Sequence, residues 1–346
     1  MKTEVAHRAR SVDELKEAWR HFREENPKTR IRDAALALGV SEAELVATTC
    51  GESAIRLNAD WGELLSAVHK LGRVMALTRN DHAVHEKHGV YNSVRIMGKM
   101  GLALDPEIDL RMFLWQWQHG FAVNEQVASG FRRSLQFFDV QGVAIHKIYL
   151  TEGSDEEAYN ALVEQYGSVD QSHNLQVHVP PVRDIEQPDD DIDIEGFRAG
   201  WRELKDTHDF FDLVKDFGLT RTQALRLGGT EFARRTNPDL FADFMHSLVD
   251  QCLDIMVFVG NRGMIQIHSG PVCNLKRLGP WFNVLDPEFN LHLRDDAIDS
   301  AWVVRKPTVD GDVTSLELYD TNGEAIAYLF GARKPCVANK RGQGCV

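Results

Sequence analysis

The sequence feature that most restricts the fold is an internal repeat with an offset of 181 residues. Residues 74–150 align with residues 255–331 without a gap, and 17 of the aligned positions are identical. At ordinary amino-acid frequencies, about five identities would arise by chance. A Leu-Asp-Pro-Glu block stands at 104–107 in the first copy and at 285–288 in the second. The repeat therefore predicts one structural unit that is built twice.

The composition between the two copies predicts a linker. Pro180, Pro181 and Pro188 precede three aspartates at 189–191. Prolines followed by clustered like charges do not build a core. The predicted order is an N-terminal repeat at 1–178, a linker at 179–192, a C-terminal repeat at 193–335 and a polar tail at 336–346.

Each copy opens with helical segments. Apolar residues at helical spacing, with Phe197, Trp201 and Phe210 among them, predict one helix from Ile194 to Gly218, where the glycine ends it. Thr220 is a good N-cap for the next helix. The other predicted helices lie at 221–227 and 240–253 in the second copy, and at 12–22, 31–38, 41–46 and 61–71 in the first.

After the helices the apolar period changes to two, which is typical of strands. Strands joined by tight turns, such as the one that Asn322-Gly323 favours, form antiparallel sheets. We predict an α+β fold with a tandem structural duplication, in which each repeat is a large antiparallel β-sheet preceded and flanked by α-helices. The predicted strands of the second copy are 255–259, 264–268, 291–293, 301–304, 315–319 and 326–330.

The charge balance limits the classes of partner. The 346 residues include 39 Lys and Arg against 52 Asp and Glu, a net charge of −13. A chain this acidic is not expected to bind nucleic acid or anionic membranes nonspecifically. No apolar stretch is long enough to span a bilayer, and residues 1–17 lack the apolar region of a secretory signal. We predict a cytoplasmic protein without membrane insertion.

Histidines are the first candidates for chemistry, because no nucleotide-binding or hydrolase motif is present. His208 lies in the segment Asp-Thr-His-Asp-Phe-Phe, and the matched part of the first copy, around 26–29, has no histidine. Its imidazole is suited to axial ligation of iron. The alternative is a surface helix histidine paired with Asp209 or Asp212.

A second group of histidines stands at positions 82, 85 and 88. Their spacing is compatible with a metal site on a helix. The stretch aligns with a strand-like segment of the second copy, however, and successive strand residues face opposite sides. We therefore favour solvated turn and strand histidines for His82, His85 and His88.

Arginines form a further candidate site. Guanidinium groups pair with carboxylates and phosphates, so basic residues at the ends of the second copy indicate either an anionic ligand or scattered surface charge. In the first copy, period two would place Arg111 and Phe113 on one face with Trp115 and Trp117, which indicates an interface or a flat ligand. The basic residues of the second copy are Arg221, Arg226, Arg234, Arg235, Arg305, Lys306, Arg333 and Lys334.

Several motifs, together with the duplication, identify a family resemblance. They lie at 206–211, 219–226, 286–294, 302–308 and 330–335. In this order they resemble the HemS/ChuS/PhuS family of cytoplasmic haemin-degrading and haem-trafficking proteins, and the resemblance covers essentially the whole chain.

The resemblance implies two stacked repeats and one haem in a cleft. His208 stands where the family places the proximal iron ligand. Arg111 stands at the distal arginine, which makes it the candidate catalytic residue. The other matched positions are Phe113 in the pocket wall, Arg221 in the cleft, and Lys306 and Arg333 near the haem propionates.

Two functions stay open at this point, because the residues that hold haem are the same in both. One is an enzyme that opens the porphyrin and releases iron, with electrons from an external donor such as NAD(P)H. The other is a non-catalytic carrier that delivers haem to a separate haem oxygenase. We favour haem degradation, with trafficking as part of its role in haem-iron acquisition. The expected partners, besides haem, are an inner-membrane haem importer, a haem oxygenase or a reductase.

Overall fold

The structure is a computed structural model that describes residues 11–127, 130–178 and 186–331. These residues form two compact units. Within the described ranges, unit 1 contains residues 11–78, 88–178 and 261–264, and unit 2 contains residues 79–87, 186–260 and 265–331. The division near residue 181 falls inside the predicted linker. Residues 179–185 of that linker, Arg333 and the predicted tail at 336–346 lie outside the described residues.

The helices of the described residues are short and none of them is long and apolar enough to cross a membrane. Their ends follow the sequence: Ser11 and Ser41 form capping boxes with Glu14 and Glu44, and the predicted N-cap Thr220 is confirmed. The helices are α1 (Val12–Glu25), α2 (Ile31–Leu38), α3 (Glu42–Ala47), α4 (Trp61–Ala67), α5 (Glu156–Tyr166), α6 (Ile194–Arg202), α7 (Asp209–Asp216), α8 (Arg221–Gly228) and α9 (Phe241–Asp250).

The single helix predicted from Ile194 to Gly218 is wrong, because the chain breaks into α6 and α7. The Asp209 carboxylate accepts hydrogen bonds from the backbone N–H groups of Lys205 (3.1 Å) and Asp206 (2.9 Å). Short acidic side chains that bond nearby backbone groups compete with helix formation. The break therefore creates a new helix start directly after His208.

The strands of the two copies match each other in number and order. In the first copy they are β1 (Ala54–Arg56), β2 (Gly72–Arg79), β3 (Ala83–Gly89), β4 (Val94–Met97), β5 (Met100–Leu104), β6 (Asp109–Phe113), β7 (His119–Val127), β8 (Gly130–Phe138) and β9 (Ala144–Ser154). In the second copy they are β10 (Ala233–Thr236), β11 (Ile255–Asn261), β12 (Met264–Gly270), β13 (Leu275–Leu278), β14 (Trp281–Leu285), β15 (Phe289–Leu293), β16 (Ser300–Lys306), β17 (Val313–Tyr319) and β18 (Ala325–Gly331).

All strand pairs within each unit are antiparallel where a register is defined. Unit 1 has the order β1-β7-β8-β9-β2 and a separate run β4-β5-β6. Unit 2 has the corresponding order β10-β16-β17-β18-β11 and a run β3-β15-β14-β13. The predicted α+β duplication with antiparallel sheets is confirmed.

The helices of unit 2 pack around one tryptophan. Trp201 of α6 is fully buried, and its ring lies 4.3 Å from that of Phe210 of α7 and stacks on Phe232 at 5.1 Å. Its indole N–H donates to the carbonyl of Arg305 in β16 (3.1 Å). A Cβ on Gly228 of α8 would lie only 2.6 Å from the Trp201 ring, so this close approach requires glycine. Trp201 thus fixes α6, α7 and α8 against the sheet.

Each unit contains a short segment from the other copy of the repeat. Residues 79–87 precede the linker but belong to unit 2, and residues 261–264 follow it but belong to unit 1. In unit 2, the Asn80 side chain donates to the carbonyl of Ile326 (2.9 Å) and accepts from the N–H of Ala83 (2.8 Å). The units are therefore not contiguous in sequence, unlike the two predicted repeats.

Candidate functional site

The predicted site residues fall in both units. Arg111 and Phe113 lie on β6 of unit 1, and His208, Arg221 and Lys306 lie in unit 2. In unit 2 the structure brings Arg221 and Lys306 together on one carboxylate. Arg333 is outside the described residues.

His208 is an oriented and open imidazole. Its side chain is 90% exposed at the start of α7. The Asp206 carboxylate accepts a hydrogen bond from the His208 backbone N–H (2.8 Å) and lies 2.5 Å from ring atom Nδ1. Because a carboxylate oxygen only accepts hydrogen bonds, Nδ1 is the donor in this contact, and Nε2 is the ring nitrogen without a hydrogen-bond partner among the described residues. The alternative of a surface helix histidine pairs His208 with Asp209 or Asp212, and that pairing is wrong, because Asp206 takes that place.

The pairing also affects the carboxylate. Hydrogen bonds from the backbone and the ring of His208 hold the pKa of Asp206 below its ordinary value, although partial burial opposes the shift. A carboxylate that fixes the tautomer and orientation of a histidine is the usual second partner of a metal-ligating imidazole. His208 and Asp206 therefore have the donor chemistry of an axial iron ligand.

Arg221, Lys306 and Glu317 form the charge cluster of unit 2. Glu317 on β17 is completely buried and accepts from Nη2 of Arg221 (2.8 Å) and Nζ of Lys306 (3.1 Å). The hydroxyls of Ser315 (3.0 Å) and Tyr319 (2.5 Å) donate to the same carboxylate. Both carboxylate oxygens of Glu317 thus accept from several donors, as a buried carboxylate requires.

The pKa shifts in the cluster follow from burial and from these pairs. Burial alone would raise the pKa of Glu317, but Arg221, Lys306 and the Tyr319 hydroxyl outweigh it and lower that pKa. Burial lowers the pKa of Lys306, and Arg221 adds to this effect against the attraction of Glu317. Burial also opposes the charge on Arg221, yet Glu317 raises the pKa of that guanidinium. At neutral pH the cluster contains two cations and one anion.

Lys306 is buried, which contradicts the alternative of scattered surface charge at this position. Its side chain is 6% exposed and its ammonium lies 5.1 Å from the ring of Phe210. Arg221 is 26% exposed and stacks on Phe210 at 4.7 Å. Other basic residues of the second copy pair with surface acids: Arg226 with Asp189, and Arg305 with Asp312.

Phe210 connects the cluster with His208. It is fully buried, two residues after His208 on the first turn of α7, and both cations contact its ring. Cations on aromatic faces are attracted by the ring quadrupole. The cluster consequently anchors the helix that begins at the exposed imidazole.

Glu317 is the residue of this site that the sequence analysis missed. A signal was present, because a glutamate between Leu316 and Leu318 on an apolar strand is unusual unless it is paired. The position matched by the repeat is Gln136, which is also buried, donates to Ser134 (2.9 Å) and has no partner for its Oε1 among the described residues.

In unit 1, Arg111 is 30% exposed and its guanidinium bonds the Asp109 carboxylate on the same strand. The Phe113 ring lies 5.2 Å from that of Trp115, which is half exposed. The predicted face does not extend to Trp117, because residues 114–116 form a 3₁₀ turn that ends the period of two. Trp117 is instead buried and donates to the carbonyl of Gly263 (2.9 Å).

The three clustered histidines do not form a metal site. His82 is partly exposed, and its Nε2 lies 3.4 Å from the Asp320 carboxylate. The prediction of a solvated His85 is wrong: it is fully buried, 4.8 Å from the ring of Phe289. Burial, with His268 and Lys87 nearby, moves the pKa of His85 well below its ordinary value. No group of three or more potential ligands occurs in the described part of the chain.

Comparisons with known proteins identify the family of the chain. The family model of the haemin-degrading HemS/ChuX domain matches residues 39–166 and 218–341. The hemin transport protein HmuS of Yersinia pestis is 40% identical over 311 residues, which cover 89% of both chains.

Solved structures are similar over nearly the whole chain. Holo-PhuS, a heme-binding protein from Pseudomonas aeruginosa, superposes with a TM-score of 0.92 at 51% identity and covers 94% of this chain and 95% of that one. ChuS, named an E. coli heme oxygenase, superposes with a TM-score of 0.84 at 36% identity and covers 93% of this chain and 94% of its own.

Proposed function

Because the chain belongs to the haemin-degrading HemS/ChuX family, we propose that it binds haem through His208 and degrades it to release iron. Haem trafficking is part of the same role in haem-iron acquisition. Haem is thus the substrate, dioxygen is the oxidant that opens the ring, and an external reductant such as NAD(P)H supplies the electrons. The cytoplasm is the proposed location.

The observation that supports the proposal best is the pairing of His208 with Asp206. An imidazole whose Nδ1 proton is fixed by a carboxylate presents a basic Nε2 to a metal centre. Iron in haem needs only one such protein ligand and keeps its opposite face open. The 90% exposure of His208 leaves room for a large flat ligand at this atom.

The charge cluster suits the polar edge of haem. The two propionates are carboxylates, and guanidinium and ammonium groups form charge-assisted hydrogen bonds with them. We assign this role to Arg221, with Lys306 behind it as a buried contributor of charge. Arg333 is proposed as a further propionate partner.

Arg111 and Phe113 have separate roles in the proposal. Haem supplies the redox-active iron and the porphyrin that is opened. Arg111 supplies fixed positive charge and hydrogen-bond donors on the distal side, where negative charge develops in the reaction. Phe113 supplies apolar surface for the ring. The Asp109 carboxylate orients the guanidinium of Arg111.

A carrier role is the second candidate, and the name of the relative HmuS, a hemin transport protein, favours it. One experiment distinguishes the haem-degrading enzyme from the haem carrier. The haem complex is incubated with NAD(P)H and a reductase, with and without oxygen and always with catalase, and the tetrapyrrole product is identified. Oxygen-dependent ring opening that catalase does not suppress supports the enzyme. Intact haem that passes to an added haem oxygenase identifies a carrier.

A further inference from the structure

The charge cluster of unit 2 has an unbalanced charge. Glu317 is the only acid among the described residues that hydrogen-bonds Arg221 or Lys306. The other polar partners, Ser315 and Tyr319, are neutral hydroxyls. Two cations against one carboxylate leave a net charge of +1 in a largely buried place. Buried charge without a counter-ion is costly, so such a cluster favours the arrival of one more anion.

The exposed edge of Arg221 is where that anion can bind. Its Nε and Nη2 atoms face Glu317 at 2.8–3.2 Å, whereas Nη1 has no hydrogen-bond partner among the described residues. Arg221 is 26% exposed and Lys306 only 6%. A guanidinium can bind a carboxylate at each of two edges. Arg221 can therefore bridge the buried carboxylate of Glu317 and an incoming one.

The charges of Lys306 and Glu317 are specific to the second copy of the repeat, because the first copy has other residue types at the matched positions. The position matched to Glu317 is the neutral Gln136, and the position matched to Lys306 is Glu125, which pairs with the surface residue Arg132. Ser134 and Ser315 are identical at matched positions. The strand geometry is thus compatible with glutamine, and glutamate is not needed to build the sheet.

We propose that Glu317 is a specificity-determining residue, which neutralises one of the two cations of the cluster and so limits the cluster to a single ligand carboxylate. The inference rests on the proposed function, in which that carboxylate is one propionate of haem. Glu317 lowers the net charge of the cluster, which attracts ligand carboxylates, from +2 to +1. The second propionate must then find its partner elsewhere.

The test compares four proteins whose clusters differ in net charge. They are K306M (0), wild type (+1), K306M/E317Q (+1) and E317Q (+2). Each is titrated with haem and with haem dimethyl ester, which has no carboxylate. The measured quantity is the ratio of the two dissociation constants, ester over haem. We expect the ratio to rise at least about tenfold in E317Q and to fall at least about tenfold in K306M, since a charge-assisted hydrogen bond is involved.

The double variant is the decisive control. If charge balance governs selectivity, K306M/E317Q returns to within about threefold of the wild-type ratio. If Lys306 acts only by direct contact with the ligand, the double variant resembles K306M, and the inference is overturned. It is also overturned if E317Q weakens binding of haem and ester equally, because Glu317 is then only a scaffold residue. Should E317Q fold poorly, K306M and the double variant still decide between these outcomes.

A measurement without haem separates this inference from the proposed function. The thermal midpoint of each protein is compared in sodium propionate and in sodium chloride at equal ionic strength. The stabilisation specific to propionate should be largest in E317Q and smallest in K306M. If that order holds but wild type binds no haem, the proposed function fails, whereas the limit that Glu317 sets on carboxylate binding stands. If haem binds and the order is absent, the inference fails.

Discussion

Asn80 and Asn261 occupy matched positions of the two sequence copies and make the same contact in opposite units. Asn80 donates to the carbonyl of Ile326 (2.9 Å) and Asn261 to that of Ile145 (2.8 Å), and these two isoleucines are themselves matched by the repeat. Each asparagine lies in the short segment that its copy contributes to the other unit. The side-chain amides therefore fasten the exchanged segments.

The first prediction concerns the stability of these segments. The Asn80 amide donates to three carbonyls and its Oδ1 accepts from two N–H groups. Asn80→Ala should lower the free energy of unfolding by about 2–3 kcal/mol, because partly buried backbone groups lose their partners. Urea unfolding measures the change. Asn92→Ala, at an exposed position, is the control, and equal stability of the two variants would show that the amide is dispensable.

The second prediction concerns the iron ligand and its carboxylate partner. His208→Ala should change the Soret spectrum and speed haem loss. Asp206→Ala should keep His208 as the iron ligand but weaken haem affinity by about tenfold or more. Orienting partners of metal-bound histidines have effects of that size. Titrations and transfer of haem to an apo-globin measure both changes.

Two control variants make that prediction specific. Asp212→Ala removes the partner expected from the sequence, and His82→Ala removes another histidine that lies beside an aspartate. Both should bind haem like wild type. An unchanged spectrum and off-rate in His208→Ala would transfer the ligand role to another histidine.

The third prediction concerns Arg111. Arg111→Ala should leave haem affinity within about threefold of wild type and slow ring opening by about 10²-fold, because a distal donor acts more on the transition state than on the ground state. Single-turnover absorbance measurements with catalase present follow the reaction. Arg132→Ala, which removes an exposed arginine of the same unit, should react normally. Loss of haem binding in Arg111→Ala would make Arg111 a binding residue instead.

The fourth prediction is a loss of stability in mild acid. Burial lowers the pKa of His146 to about 3, and burial with Lys87 nearby lowers that of His268 to about 4. Below pH about 6.5 the unfolded chain takes up protons at these positions but the folded chain does not. As the pH falls from 6.5 to 4, each histidine should therefore lower the free energy of unfolding by about 1.4 kcal/mol per pH unit.

Urea unfolding at pH 7.5 and pH 5 measures this slope. His146→Gln should reduce the pH dependence, whereas His69→Gln, at an exposed position, should leave it unchanged. If His146→Gln keeps the wild-type slope, the neutral buried state of His146 does not cause the acid sensitivity.

The sequence predicted those features that depend on local pattern. Period-two runs located six of the strands described in the second copy, and Thr220 located the start of α8. The break between α6 and α7 was missed, because it depends on which backbone groups the Asp209 carboxylate reaches, and apolar spacing continues across it. The short strands β13 and β14 were missed because the alternation of apolar residues there is weak.

The chemistry of the site was less accessible from the sequence. The motif around His208 was recognised, but its partner depends on the turn at 205–208, where Asp206 and not Asp212 meets the ring. For Lys306 the sequence leaves both an anionic-ligand role and scattered surface charge open, and burial is not expected because lysines are rarely buried. Lys306 can be buried because β16 pairs with β17, which brings the Glu317 carboxylate to its ammonium group. No local sequence pattern predicts this contact.

The exchange of segments between matched copies has a consequence for how such a protein can diverge. Suppose that the two units were built from two identical chains that exchanged these segments. Each substitution would then occur at the same position in both units. Within one polypeptide, each place is encoded separately. A carboxylate at position 317 can thus correspond to an amide at position 136, and a histidine at 208 needs no counterpart in the segment 26–29. Covalent fusion therefore allows each copy to supply different residues to a single ligand site.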